Sequence, residues 1–103
     1  MAKKARIAYE ASVGSLAALA ATMRAEGTSE EAIARDVVNR RNQIKVEFRK
    51  GDPPNLVAEM ERINKAKYGH PVGPTADELF RKYGNWADVI AAACRPSRLS
   101  QMM

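Results

Sequence analysis

The run RRNQIKVEFR, residues 40–49, sets four cations and two side-chain amides into ten positions. Guanidinium, ammonium and amide donors at that density suit phosphate oxygens or nucleobase edges. From Arg35 to Lys50, six cations (Arg35, Arg40, Arg41, Lys45, Arg49, Lys50) face two anions, Asp36 and Glu47, so most of the net charge of +5 resides there. A basic strip of this kind is the electrostatic footprint of a protein that meets phosphate backbones, and it is equally the composition of a solvated basic face. A second stretch, KYGHPVGPT at residues 67–75, holds two glycines, two prolines, the only histidine and a tyrosine. His70 has the one side chain whose ordinary pKa lies near neutrality, which makes it the candidate for proton transfer. Tyr68 can donate a hydrogen bond, stack on a base or pack in the core. Thr75 opens a helix whose first amides can receive an anion. The candidate catalytic residues are therefore Arg41, Lys45, Tyr68 and His70. The candidate substrate-binding residues are Arg40, Asn42, Arg49, Asn64, Lys67 and Thr75.

Five helices must position these groups. Tyr9, Val13, Leu16, Ala20 and Met23 recur at helical spacing and predict a first helix over residues 5–26. Gly27 ends it, and Thr28 with Glu31 reads as a capping box for a second helix over 29–50. Helices joined this tightly pack as a hairpin. The second helix carries a stripe of Ile33, Val37, Ile44 and Phe48 that Arg40 and Arg41 interrupt. Arginines so placed must extend to the rim, pair with an acid or line a cavity that takes an anion. Asp52 and the prolines of GDPPN start a third helix, whose expected buried face is Leu56, Val57, Met60 and Ile63, extended by Asn64 and Tyr68. Thr75 with Glu78 caps a fourth helix carrying Leu79, Phe80 and Tyr83, and Asn85 with Asp88 a fifth with Trp86, Val89, Ile90 and Ala93 inward. KYGH and KYGN echo each other as helix stops, a lysine at the negative helix end and a glycine for the left-handed turn. The expected fold is all-α: a compact bundle of about five helices, two long N-terminal helices forming a hairpin followed by three shorter ones. Residues 1–96 read as one domain and 97–103 as a flexible tail.

Composition excludes several alternatives. One cysteine, Cys94, makes no internal bridge, and with one histidine it rules out most zinc chemistry. No HExxH, paired CxxC, Walker loop or serine elbow is present, and EFRK lacks the spacing and strands of a metal-nuclease motif. No cofactor is expected. Catalysis on nucleic acid, if present, would use arginine and lysine against developing phosphate charge and a histidine, lysine or tyrosine to move the proton. The first residues lack the apolar core of a signal peptide, and no run nears the roughly 18 apolar residues of a membrane span, so membrane insertion is not expected.

Three segments, RNQIKVEFR (41–49), INKAKYGHPVGPT (63–75) and NWADVIAAACRP (85–96), together resemble the C-terminal toxin module of bacterial polymorphic toxins, Rhs-type and related secreted effectors. The likeness runs from Tyr9 to Pro96. It implies a toxin tip carried at the end of a larger secreted protein, delivered to the cytoplasm of a rival cell and neutralised in the producer by a cognate immunity protein. Effector tips of this size include nucleases, nucleotide-modifying enzymes and proteins that block a target by binding it, so RNA and DNA both stand as targets. The position of His70 is usually asparagine in such modules, which shifts weight toward Arg41, Asn42, Lys45, Asn64, Lys67 and Tyr68. A cation-lined groove would also attract an acidic immunity protein. The reading that follows is a small basic effector acting on nucleic acid as a metal-independent nuclease. Its alternative is a helical module that binds nucleic acid or a protein without cutting anything.

Overall fold

Apolar side chains at helical spacing bury one face of each long helix, and the pairing of those faces organises the molecule. The computed structural model describes residues 3–95, without the side chains of Lys3 and Ala5; the expected tail at 97–103 lies outside the described residues. The helices are α1 (Lys3–Ala25), α2 (Glu30–Arg49), α3 (Pro54–Tyr68), α4 (Ala76–Tyr83) and α5 (Trp86–Ala93). The described residues contain no strand. The Cα radius of gyration is 13.8 Å, close to the ~13 Å of a compact 100-residue domain.

The α1–α2 hairpin forms as its sequence predicts. Leu16 and Ala20 of α1 pack with Ile33, Ala34, Val37 and Val38 of α2 in one buried cluster, and Val89, Ile90 and Ala93 of α5 complete it. Burying each large aliphatic side chain contributes about 1.5–3 kcal/mol, and α2 supplies the most buried members, so it is the central strut. Tyr9 meets Phe48 edge-on at 5.6 Å at the open end of the hairpin, while Arg24 pairs with Glu30 at its turn. Arg35 ties three helices together: its guanidinium lies 5.1 Å from the Trp86 ring of α5 and pairs with Glu31 of α2 and with Asp77 of α4.

Three local expectations shift. The cap of α2 is Ser29, which accepts from the Ala32 amide, and not Thr28. The Thr28 amide is still closing the end of α1 on the Met23 carbonyl at 3.0 Å, so the next helix begins one residue later. The N-cap of α3 is Pro53 with no side-chain cap bond, and Asp52 does not fill that role. Proline at the N-cap offers no side-chain acceptor, and the Leu56 and Val57 amides turn to the Pro53 carbonyl instead. The expected buried face of α3 is only partly covered: no residue of α3 is buried, and Ile63 is 50% exposed. The closely packed helix pairs join α1, α2, α4 and α5, and α3 belongs to none of them. Its amphipathic pattern is real, but periodicity buries a face only where another element covers it.

The two helix stops match in detail. Gly69 and Gly84 take φ of 82° and 80°, and each donates to a carbonyl four residues earlier. Lys67 and Lys82 each place Nζ 5.3 Å from the ring of the following tyrosine. No described helix is long and apolar enough to cross a membrane.

Candidate functional site

The C-terminal half of α2 faces two backbone segments, the end of α5 and residues 71–74, and two of its four cations, Arg41 and Arg49, donate to their carbonyls. Arg41 lies one helical turn after Val37, beside the apolar stripe. Its Nη1 donates to the carbonyls of Ala92 (2.6 Å), Ala93 (3.0 Å) and Arg95 (2.6 Å). These carbonyls lie at and just past the negative end of α5, where Ala92 O also accepts from the Arg95 amide at 3.4 Å, so one guanidinium caps that helix. Extension to the rim, pairing with an acid and lining an anion cavity were the three expected outcomes, and Arg41 adopts a fourth. Arg40, its neighbour, points outward and pairs with Asp36 at 2.8 Å.

Two turns on, Arg49 is 8% exposed and donates from Nη1 to Pro71 O (2.9 Å) and from Nη2 to Val72 O (3.3 Å), while its Nε is buried without a partner. Asn42 donates from Nδ2 to Pro74 O at 3.3 Å. The segment 71–74 contains two prolines that lack amides, so it cannot satisfy its carbonyls by local turns, and side chains of α2 do so. The KYGHPVGPT bend is thereby seated along the α2 stripe that carries Asn42, Lys45 and Arg49.

Lys45 lies between these anchors. It makes no ion pair or hydrogen bond among the described residues, and burial, then the Arg41 and Arg49 charges, push its amine down to about 8 from the ordinary 10.5. Gly73 is buried directly over it at φ 157°; a Cβ there would lie 2.7 Å from Lys45 Nζ and 3.3 Å from Asn42 Oδ1. The glycine leaves the amine its space.

The bend carries a second arrangement. His70 Nε2 donates to Glu78 Oε1 at 2.5 Å, Thr75 Oγ1 donates to the same oxygen at 3.2 Å, and the Glu78 amide donates back to Thr75 Oγ1. Glu78 thus serves the N-cap of α4 and orients the imidazole, and the His70 bond holds its carboxyl below the usual range. Tyr68 stacks on His70 with ring centroids 6.4 Å apart and planes 22° apart. Lys67 stays exposed over the Tyr68 ring, and Asn64 is partly buried one turn earlier.

Of the expected residues, the structure brings Asn42, Lys45, Arg49, Tyr68, His70 and Thr75 to α2 and the bend. Arg41 is directed to the end of α5, and Arg40 to the other side of its helix, where it lines a groove of about 400 Å³ between α1 and α2 with Leu16, Leu19, Ile44 and Phe48. No residue of the bend lines that groove. Gly73 and Glu78 were not singled out as site residues by sequence. Glu78 carried a signal, the third position of a capping box, but its second partner lies eight residues back. No group of three or more His, Cys, Asp or Glu residues that could hold a metal occurs among the described residues. No family model, curated protein or solved structure matches the chain.

Proposed function

We propose that this chain is a small basic effector domain that engages nucleic acid in a target-cell cytosol and cleaves it with its own side chains. The observation that carries the reading is the corner between α2 and the bend. There an unpaired lysine in a positive field neighbours a loop bearing a histidine already oriented by a carboxylate. An oriented imidazole suits proton transfer, and a cation on the neighbouring helix suits developing charge on a phosphate. Asn42 and Tyr68 add a donor and a stacking surface. The likeness of the three segments to polymorphic-toxin modules supports the cellular setting: release from a larger secreted protein and an acidic immunity partner in the producer.

One observation favours the alternative of binding without cleavage. Arg41 and Arg49 are held by main-chain carbonyls, so exposed cations such as Lys65, Lys67, Arg81 and Lys82 would carry a binding surface. The deciding experiment is induction of the chain in a bacterium, followed by sequencing of total RNA and DNA for breaks, beside Lys45→Arg and His70→Gln variants that retain helical circular dichroism. Cleavage predicts breaks that both variants diminish. Growth arrest without breaks, or breaks indifferent to both substitutions, overturns it.

A further inference from the structure

Among the described residues Arg49 is the buried charged side chain, and its donors are incompletely used. Nη1 and Nη2 hold the Pro71 and Val72 carbonyls at 2.9 and 3.3 Å, while Nε is buried with no partner. An unpaired buried donor is costly, and a neutral carbonyl is a weaker acceptor for a guanidinium than an anion is. The edge formed by Nε and Nη2 matches two oxygens of one phosphate, which would satisfy both with charge-assisted bonds. Asn42, Lys45 and Arg49 follow at spacings of three and four on one face of α2. Residues 71–74 lie along that face: Asn42 bonds to Pro74 O, and Gly73 is seated against Lys45 Nζ. One short piece of backbone therefore covers all three donors. Upstream it continues into α3, which buries no residue and joins no closely packed helix pair. Downstream it is fixed, because Thr75 caps α4.

We infer that residues 71–74 are an autoinhibitory cover: the Pro71 and Val72 carbonyls occupy the Arg49 guanidinium in place of a phosphate group, and an arriving phosphate displaces them. The inference rests on the nucleic-acid reading above and adds the regulation of its site. In the exchange Arg49 gives up two neutral acceptors for an anionic one that also engages Nε. Lifting Gly73 then turns the Lys45 amine and the Asn42 amide toward the same group. The bend carries α3 with it, and the buried cluster of α1, α2 and α5 stays intact, since α3 contributes nothing to it. A ligand opens such a cover only by binding the open form better, and in the closed form these donors are covered.

The test is amide hydrogen exchange of the full chain, read by mass spectrometry, alone, with inorganic phosphate and with short intact DNA and RNA oligonucleotides whose binding is followed by fluorescence anisotropy. The expected result is faster exchange over residues 51–73 on binding, with residues 33–38 of α2 unchanged; a ligand that merely rested on the closed bend would slow it. Arg49→Lys keeps the charge and loses the fork, so exchange over 51–73 should rise without ligand and oligonucleotide binding should weaken. Gly73→Ala puts a methyl 2.7 Å from Lys45 Nζ at a φ of 157°, which disfavours the closed bend and removes no donor. It should raise the same exchange and tighten oligonucleotide binding several-fold, because more of the chain is already open. An oligonucleotide that binds while neither it nor phosphate speeds exchange over 51–73 overturns the inference and leaves the nucleic-acid reading standing. Gly73→Ala with raised exchange and unchanged or weaker binding does the same. A response to inorganic phosphate alone supports the cover and removes nucleic acid from this site, and failure to bind phosphate, DNA and RNA overturns both. If Arg49→Lys does not fold, exchange in the unmodified chain decides.

Discussion

Replacing Lys45 by methionine keeps most of the apolar stem and removes a charge that the fold partly desolvates, so it should change how stability responds to pH. The Lys45 amine titrates at about 8 in the folded protein against 10.5 ordinarily. Between those values the unfolded chain binds more protons than the folded one, so stability rises with pH through that window. Below about 8 both states are charged and the whole penalty applies. Above 10.5 both are neutral and it vanishes. The difference of about 2.5 pH units corresponds to about 3 kcal/mol. Other lysines and the tyrosines titrate in the same range in both proteins, so the informative quantity is the difference between them. In urea unfolding at pH 7, 8, 9 and 10, Lys45→Met should gain most over the parent at pH 7, and the gap should close toward pH 10. The reasoning fails if the gap is independent of pH, because the amine would then be as well solvated as any surface lysine.

Three further outcomes follow from the contacts. Arg41→Ala removes the guanidinium from three carbonyls at the end of α5, leaving those of Ala93 and Arg95 without it, and should cost about 2 kcal/mol, read as a lowered urea midpoint; any loss of activity in this variant reports folding first. Glu78 has a depressed folded pKa, so its contribution to stability is present above the ordinary 4.5 and is lost as pH falls through the folded value. His70→Ala should flatten the stability curve below about pH 4.5, and superimposable acid titrations would refute that. Ile33→Ala in the central cluster should cost about 3 kcal/mol, whereas Ile63→Gln on half-exposed α3 should stay within about 0.5 kcal/mol, a contrast that thermal unfolding of the pair measures.

Much of the fold was legible because it is local. Stripes at helical spacing located all five helices, and the left-handed glycines and the Thr75 and Asn85 caps set their ends within a residue or two. Burial was legible only where a partner element exists, which is why Ile33 met its expectation and Ile63 did not. The role of Arg41 depends on carbonyls 51 to 54 residues away, and no spacing rule reaches that far. One local signal did bear on it. Arg35, Arg40, Lys50 and Arg62 each have a carboxylate three or four positions earlier and pair with it, whereas Arg41 and Lys45 have none at three or four positions on either side. For Arg41 and Lys45, without a helical partner, the surroundings are decided by the tertiary structure alone. The seating of Gly73 over Lys45 was not legible, because it depends on how the bend lies across α2.

The central claim is that the Lys45 amine meets phosphate at this corner, and side-chain nitrogen NMR of Lys45 during titration with a short intact oligonucleotide tests it most directly. An arriving phosphate stabilises the ammonium form, so the Lys45 pKa should climb from about 8 toward its ordinary value, with protons taken up on binding below pH 10. A Lys45 resonance that stays fixed while those of Lys65, Lys67 and Lys82 move would contradict the account and assign binding to the exposed surface.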